Sequence, residues 1–180
     1  MSWQTLDTRD VYENRWIRVR EDQVVKPDGS RGIYGVIELQ NPAVFVVALT
    51  PQDEVVLVAM ERYTIGRRSL EVPAGATDGE DPLVAAKREL REETGLVAAE
   101  WTPLGAMNAL NGVADAPEVV FLATGLAVVD DGEDRDHEGI TEVLRVPFPE
   151  VLQRIRSGEI VDGETIASIA LAAIELGRLR

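Results

Sequence analysis

Two apolar segments near the middle of the chain place the strongest limit on its possible folds. Residues 43–49 and 55–60 are almost continuously apolar and rich in β-branched side chains, and five residues separate them. Runs of this length and composition are typical of strands that are covered on both faces. The pattern therefore predicts two buried strands of a central sheet.

The segment before these strands predicts a β ribbon. Apolar and polar residues alternate from residue 12 to residue 39, with an interruption at the sequence KPDGS of residues 26–30. Proline presets the backbone for a turn, and glycine accepts the positive φ that such a turn needs. We therefore predict an antiparallel ribbon within residues 1–40.

Length and composition predict one domain. The chain has 180 residues, of which 45% are hydrophobic. This is enough for one well-filled core and short for two independent ones. We expect a single domain over residues 1–180, in which residues 41–180 form the core.

Helix and strand signals alternate in the rest of the chain. Asp81 and Pro82 combine a good N-cap with a proline in the first helical turn, and Gly95 is a suitable end for the helix that they begin. Further elements are predicted as strands at residues 119–123 and 142–146 and as helices at residues 150–156 and 164–176. This mixture indicates an α/β (α+β) fold.

The acidic composition limits the partners of the protein. Its formal net charge is −14, from 32 acidic and 18 basic residues, and the sequence has no block of lysines and arginines. Such a charge repels the backbone of a nucleic acid, so we expect no nucleic-acid partner. A small phosphorylated substrate is repelled as well, and its binding therefore requires an arginine cluster or a bound cation.

Any metal site in this chain must use oxygen ligands. The chain has no cysteine and one histidine, His137. Thiolate zinc sites, a cysteine nucleophile and a histidine-rich metal site are therefore excluded.

Hydropathy predicts no contact with a membrane. No apolar run approaches the roughly 20 residues that span a bilayer. The first residues lack the basic stretch and the following apolar stretch of a secretory signal. We therefore expect a cytoplasmic protein.

Three glutamates share one face of the helix predicted before Gly95. Glu89, Glu92 and Glu93 lie at positions i, i+3 and i+4. Like charges at this spacing destabilise a helix. An exposed, solvated acidic face is the ordinary explanation of such a pattern. The alternative is a site for a hard cation such as Mg²⁺, which takes carboxylate oxygens and removes the repulsion.

The surrounding sequence favours the cation site. Residues 88–96 read RELREETGL, Glu80 stands eight positions before Arg88, and a glycine-containing loop begins at Gly75. This arrangement resembles the Nudix box of the Nudix hydrolases, in which fixed polar and glycine positions coincide in a strand–loop–helix context. The family box has five residues between its first glycine and its first glutamate, whereas Gly75 and Glu80 enclose four.

The resemblance extends from about residue 12 to about residue 174 and is closest to the ADP-ribose pyrophosphatase branch of the family. Arg62, the LEVPAG sequence of residues 70–75, the SGEIVD sequence of residues 157–162 and Thr165 all resemble that branch. The resemblance implies a Nudix-type α/β/α sandwich with a mixed central sheet, preceded by the N-terminal ribbon. In the related enzymes the ribbon helps to form a homodimer, so we expect a homodimer here.

The resemblance also implies an activity and the residues that hold its cofactor. The expected reaction is the Mg²⁺-dependent hydrolysis of the pyrophosphate in ADP-ribose or in a nucleotide sugar, which yields a nucleoside monophosphate and a sugar phosphate. Mg²⁺, or Mn²⁺ in its place, is expected on the side chains of Glu89 and Glu93 and on the backbone carbonyl of Ala74. Glu92 is expected as a third carboxylate ligand and belongs to the catalytic set.

Further catalytic roles follow from the same resemblance. Arg88 is expected to pair with Glu80 or with a box glutamate and to hold the carboxylates in place, and an ordinary surface ion pair is the alternative. The related pyrophosphatases carry a general base in a loop after the box, where this chain has the acidic residues 130–138. We choose Glu138 as the base because it stands immediately before the next strand, with Glu133 as the second candidate.

The substrate contacts are expected just before the box. By resemblance, Arg62 contacts a phosphate and Glu71 contacts the base or the ribose. Arg67 adds positive charge beside them, although an exposed surface arginine is the commoner explanation of such a residue.

Two other functions stay open at this point. The first is a Nudix hydrolase of another nucleotide, a nucleoside triphosphate or a dinucleotide, which would release orthophosphate or pyrophosphate. The second is a non-catalytic Nudix domain that senses a nucleotide, because a fold alone does not establish a function. The complete set of box glutamates disfavours the sensor.

Overall fold

The computed structural model describes residues 2–129 and 139–179, which form a mixed α/β fold. Its strands are β1 (Gln4–Glu13), β2 (Ile17–Val25), β3 (Arg31–Leu39), β4 (Ala43–Ala48), β5 (Glu54–Arg62), β6 (Arg67–Glu71), β7 (Ala74–Ala76), β8 (Leu96–Asn108), β9 (Ala114–Asp115), β10 (Pro117–Val128) and β11 (Ile140–Pro147). Its helices are α1 (Pro82–Thr94), α2 (Phe148–Ser157) and α3 (Gly163–Glu175). No helix in the described residues is long and apolar enough to cross a membrane. The predicted α/β fold class is confirmed.

The chain forms two compact units. The first contains the residues up to 42 together with residues 107–118, and the second contains residues 43–106 and those from 119 onward. The first unit holds the four-stranded sheet β1-β2-β3-β9. The second unit holds the three helices, the sheet β11-β5-β6 and most of the sheet β7-β4-β10-β8.

The hairpin predicted in the first unit is present. Strands β2 and β3 pair antiparallel, and the amide of Gly29, at φ +85°, donates to the carbonyl of Lys26 at 2.9 Å in the turn between them. Strand β1 pairs antiparallel with β2 as a third strand. Its sequence, QTLDTRDVYE, is exposed throughout and has no regular apolar alternation. The sequence pattern therefore did not indicate β1, which forms because β2 offers an edge to pair with.

Helix α1 of the second unit begins and ends where the sequence predicts. The side chain of Asp81 accepts a hydrogen bond from the amide of Leu83 at 3.0 Å. The helix ends at Gly95, whose left-handed φ of +72° lets its amide donate to the carbonyl of Arg91 at 2.7 Å. Leu90 is fully buried and packs with apolar residues of β4 and β10. Such a burial contributes roughly 1.5–3 kcal/mol, so this face fixes the helix on the sheet.

Other boundaries differ from the prediction. Strand β8 was not predicted, because Pro103 and Gly105 interrupt its sequence. It lies at the edge of its sheet, where a proline removes no ladder hydrogen bond from a neighbour. Helix α2 begins at Phe148 and not at residue 150, since Pro149 in its first turn is compatible with a helix.

Candidate active site

Two of the three glutamates on the box face of α1 are buried. Glu89 and Glu93 are 4% and 2% exposed, whereas Glu92 is half-buried. Burying a carboxylate costs on the order of several kcal/mol unless partners meet its charge. A solvated acidic face therefore does not describe this helix, and the partners of the glutamates define the site.

The guanidinium of Arg88 is the partner of three glutamates. Its Nη1 donates to Glu89 at 2.7 Å and to Glu92 at 3.0 Å, its Nε donates to Glu80 at 3.0 Å, and its Nη2 donates to the carbonyl of Ala76 at 2.9 Å. Burial lowers the pKa of Arg88, but the hydrogen bonds to Glu80 and Glu92 and the charge of Glu89 raise it well above its usual range. Arg88 therefore stays charged and holds these carboxylates together.

The loop before α1 is closed by a tight turn despite its missing residue. The amide of Glu80 donates to the carbonyl of Thr77 at 2.8 Å. Asp78 and Gly79 between them have left-handed φ angles of +49° and +84°. Aspartate and glycine tolerate this conformation better than most residues. The shortened loop therefore still brings Glu80 to Arg88.

The strand β7 approaches the buried glutamates closely. The amide of Ala74 donates to Glu93 Oε2 at 3.0 Å. A Cβ placed on Gly75 would lie 2.1 Å from the carboxylate carbon of Glu89. Only glycine lets the backbone pass so near to this carboxylate, which explains the glycine at the start of the box.

A second pair of charged residues lies at the ends of β5 and β6. Arg62 donates from Nε to Glu71 Oε1 at 2.8 Å and from Nε and Nη2 to Glu71 Oε2. Glu71 is almost completely buried, whereas the Arg62 side chain is 45% exposed. The carboxylate therefore orients the guanidinium of a side chain that is still partly exposed, and an arginine held in this way is suited to binding an anion.

The electrostatics of Arg62 connect this pair to the box. The hydrogen bond that Arg62 donates to Glu71 raises the pKa of Arg62, burial lowers it, and the charges of Glu71, Asp162 and Glu93 raise it further. Arg62 thus lies within the field of Glu93, one of the expected metal ligands. The structure brings the expected phosphate contact and the expected metal site together in the second unit.

The first turn of α3 also lies beside these residues. Asp162 caps the helix by accepting from the amide of Thr165 at 2.7 Å, and the Thr165 hydroxyl accepts from the amide of Val72 at 3.1 Å. Burial raises the pKa of Glu164, and the charges of Asp162 and Glu71 contribute in the same direction. The sequence contains one signal for this turn, the aspartate at position 162, because aspartate is a preferred N-cap residue.

Among the described residues, one expected substrate contact, Arg67, makes none of the hydrogen bonds of this cluster. Arg67 pairs with Arg62 across the β5–β6 ladder and is exposed. The two candidates for the general base, Glu138 and Glu133, lie outside the described residues, as does His137.

The oxygen donors of the cluster fit a divalent cation. Four box glutamates surround the single guanidinium of Arg88 or lie beside it on α1, so the site keeps an excess of negative charge. In the described part of the chain, no three or more acidic or histidine side chains are already arranged to hold a metal ion together. Glu89 and Glu92 are turned toward Arg88. Mg²⁺ requires no closed cage, since it usually keeps several waters beside one or two carboxylates.

Comparisons with known proteins agree with this geometry. Two family models match the chain, the nucleoside diphosphate sugar hydrolase N-terminal domain over residues 3–37 and the NUDIX domain over residues 39–167. An ADP-ribose pyrophosphatase of Mycobacterium tuberculosis is 35% identical over 178 residues, which cover 97% of this chain and 86% of the relative. An ADP-ribose pyrophosphatase of Bacillus subtilis is 30% identical over 166 residues, with coverages of 92% and 89%.

A solved structure has the same fold. The crystal structure of an ADP compounds hydrolase superposes with a TM-score of 0.84 at 20% identity, and the match covers 99% of this chain and 98% of that one. The NUDIX match includes every box residue and the Arg62–Glu71 pair. The chain therefore belongs to the Nudix family and is a Nudix pyrophosphohydrolase.

Proposed function

We propose that this enzyme hydrolyses the pyrophosphate of ADP-ribose or of a nucleotide sugar and releases a nucleoside monophosphate and a sugar phosphate. The observation that carries the proposal is the proximity of the Arg62–Glu71 pair to the box glutamate Glu93, which accepts from the amide of Ala74 three residues after Glu71. A phosphate-binding arginine beside a hard-cation site suits a substrate that carries two linked phosphates. The names of the relatives and of the N-terminal family model support this substrate class.

We assign the cofactor site to Glu89, Glu92 and Glu93 and to the carbonyl of Ala74. Mg²⁺ is the expected ion, with Mn²⁺ as an alternative, because both prefer carboxylate and carbonyl oxygens. When bound, such an ion neutralises phosphate charge and lowers the pKa of a water, which generates a nucleophile near neutral pH. The remaining chemistry belongs to the side chains of this chain.

Arg62 and Arg88 have different tasks in this proposal. Glu71 engages the Nε and one Nη of Arg62, so the guanidinium is oriented before a phosphate arrives. Arg67 adds positive charge beside it, and a contact of Glu71 with the base or ribose stays a prediction. Arg88 is held by glutamates on several sides and therefore positions carboxylates, without contacting the substrate.

We assign the general base to Glu138, with Glu133 as the alternative. The carboxylate accepts a proton from a water whose oxygen forms a bond to one phosphorus. The bond between that phosphorus and the bridging oxygen breaks, and the bridging oxygen leaves on the other phosphate with the electron pair. No covalent bond between the protein and the substrate is needed.

The test of this function is a substrate panel for the purified protein. With Mg²⁺, ADP-ribose or a nucleotide sugar such as GDP-mannose or UDP-glucose is expected to give a nucleoside monophosphate, measured by chromatography of the products. EDTA in excess is expected to stop the reaction, and Mg²⁺ or Mn²⁺ to restore it. Turnover restricted to nucleoside triphosphates or dinucleotides would support another Nudix hydrolase. Tight binding without turnover would support the sensor.

Gly75→Ala is expected to disturb the metal site without removing a ligand. The new Cβ would lie 2.1 Å from the Glu89 carboxylate, which must then move. We expect the Mg²⁺ concentration for half-maximal rate to rise about 10- to 100-fold. The same concentration is expected to rise in Glu93→Gln, which loses a charged ligand. The control is Gly163→Ala, since a Cβ there meets open space. An unchanged Mg²⁺ dependence in Gly75→Ala would remove Glu89 from the metal site.

The two candidate bases are separated by matched variants. Glu138→Gln is expected to lower kcat by roughly 10²- to 10⁴-fold, as the loss of a general base does, with little change in substrate binding. Glu133→Gln is expected to have a mild effect. Steady-state rates at saturating Mg²⁺ decide between them. A severe loss in Glu133→Gln alone would reverse the assignment. Mild effects in both would mean that the base is one of Glu89, Glu92 and Glu93 or that the metal ions suffice.

We propose a homodimer formed through the first unit. Ile33, Ile37 and Leu39 project from one face of β3 and are 63%, 37% and 37% exposed. Exposed apolar patches of this kind mark interaction sites. Light scattering is expected to give twice the chain mass for the wild type and the single mass for Ile37→Glu. Ile174→Glu, on exposed α3 surface, is the control, and a monomeric wild type would refute the dimer. The cytoplasmic location stays a prediction.

A further inference from the structure

Thr165 connects helix α3 to a distant part of the chain. It is fully buried in the first turn of α3. Its amide donates to the capping side chain of Asp162, and its hydroxyl oxygen accepts from the amide of Val72, which is 93 positions away in the sequence. The helix cap and the remote amide thus meet at one residue.

The segment that Thr165 contacts carries two parts of the site. It runs from Glu71, which binds Arg62, to Ala74, whose amide donates to Glu93 at 3.0 Å. Between them, the carbonyl of Pro73 accepts from the amide of Val46 at 2.8 Å. Glu71 ends β6 and Ala74 begins β7, so Val72 and Pro73 are the two residues between the strands.

The amide of Val72 depends on a side chain for its hydrogen bond. Val72 is 1% exposed, so water does not replace a lost partner easily. Without the Thr165 hydroxyl, the segment must shift to satisfy this amide. A shift of about 1 Å at a site of this kind can lower a rate about 100-fold.

We propose that Thr165 is a positioning residue for the hydrolysis. Its hydroxyl fixes residues 71–74, and through them it sets the place of the Arg62–Glu71 pair relative to Ala74 and Glu93. This inference rests on the proposed function for the identity of the phosphate and metal contacts. It assigns to the first turn of α3 a role in the geometry of the site, beyond its packing.

Matched variants separate the hydroxyl from the volume of the side chain. Thr165→Val removes the hydroxyl and keeps the shape, and Thr165→Ser keeps the hydroxyl. If Thr165→Val does not fold, Thr165→Ala replaces it as the variant that lacks the hydroxyl. Ser168→Ala is the control, because Ser168 is fully buried one turn further along α3 and its hydroxyl has no hydrogen-bond partner among the described residues.

Three measurements on the full chain test the proposal. For Thr165→Val we expect kcat/KM to fall about 10- to 100-fold. The affinity for Mn²⁺ alone, measured by electron paramagnetic resonance, is expected to fall about 10-fold. The Val72 amide is expected to exchange its hydrogen faster than in the wild type. Thr165→Ser is expected to stay within about threefold of the wild type. Ser168→Ala is expected to match the wild type in all three measurements.

Two results would overturn the proposal. One is a Thr165→Val enzyme with a lower Tm but wild-type kcat/KM and Mn²⁺ affinity, which would give Thr165 a purely structural role. The other is a Thr165→Ser enzyme as defective as Thr165→Val, which would exclude the hydroxyl as the cause. Failure of the proposed function gives a different result, because the wild-type protein would then cleave none of the substrates of the panel. Mn²⁺ binding and amide exchange are measured without substrate.

Discussion

Carboxylates three and four residues apart on a helix repel each other, and burial strengthens the repulsion because less water screens it. The site depends on how this repulsion is offset. Arg88 does so with hydrogen bonds from three of its nitrogens, which reach Glu89, Glu92, Glu80 and a backbone carbonyl. The helix could otherwise not be buried on this face. The remaining excess of negative charge favours the divalent cation that we propose for this site.

The short segment from Glu71 to Ala74 connects the box glutamates to Arg62, the expected phosphate contact. One end is clamped to Arg62 and the other to Glu93, so the expected phosphate contact and the expected metal ligand share one stretch of backbone. In a stretch of four residues, a shift of the backbone at one end also moves the other end. This explains why its middle is also tied to Thr165, in a helix far along the chain.

Local signals predicted the elements that build the box. Asp81, Pro82 and Gly95 specify the ends of α1 through cap hydrogen bonds within a few residues, and the structure has the same ends. Elements without a local signal were missed. Strand β1 is exposed along its length without regular apolar alternation and β8 contains Pro103, and both form because a neighbouring strand offers hydrogen bonds. Pairing of that kind depends on the partner and leaves little mark in the strand's own sequence.

Spacing along the chain was enough to place Glu89, Glu92 and Glu93 on one helix face, because a helical period of 3.6 residues leaves no other arrangement. The wider pattern of residues 75–96 resembles the Nudix box, and the family model confirms that membership. Two sets of contacts become visible when the chain is folded. Arg62 donates to Glu71 near Glu93, and the Thr165 hydroxyl accepts from the amide of Val72. These contacts join residues that are distant along the chain. They exist because the order of strands in the sheets and the docking of α3 bring them together, and no local periodicity encodes that order.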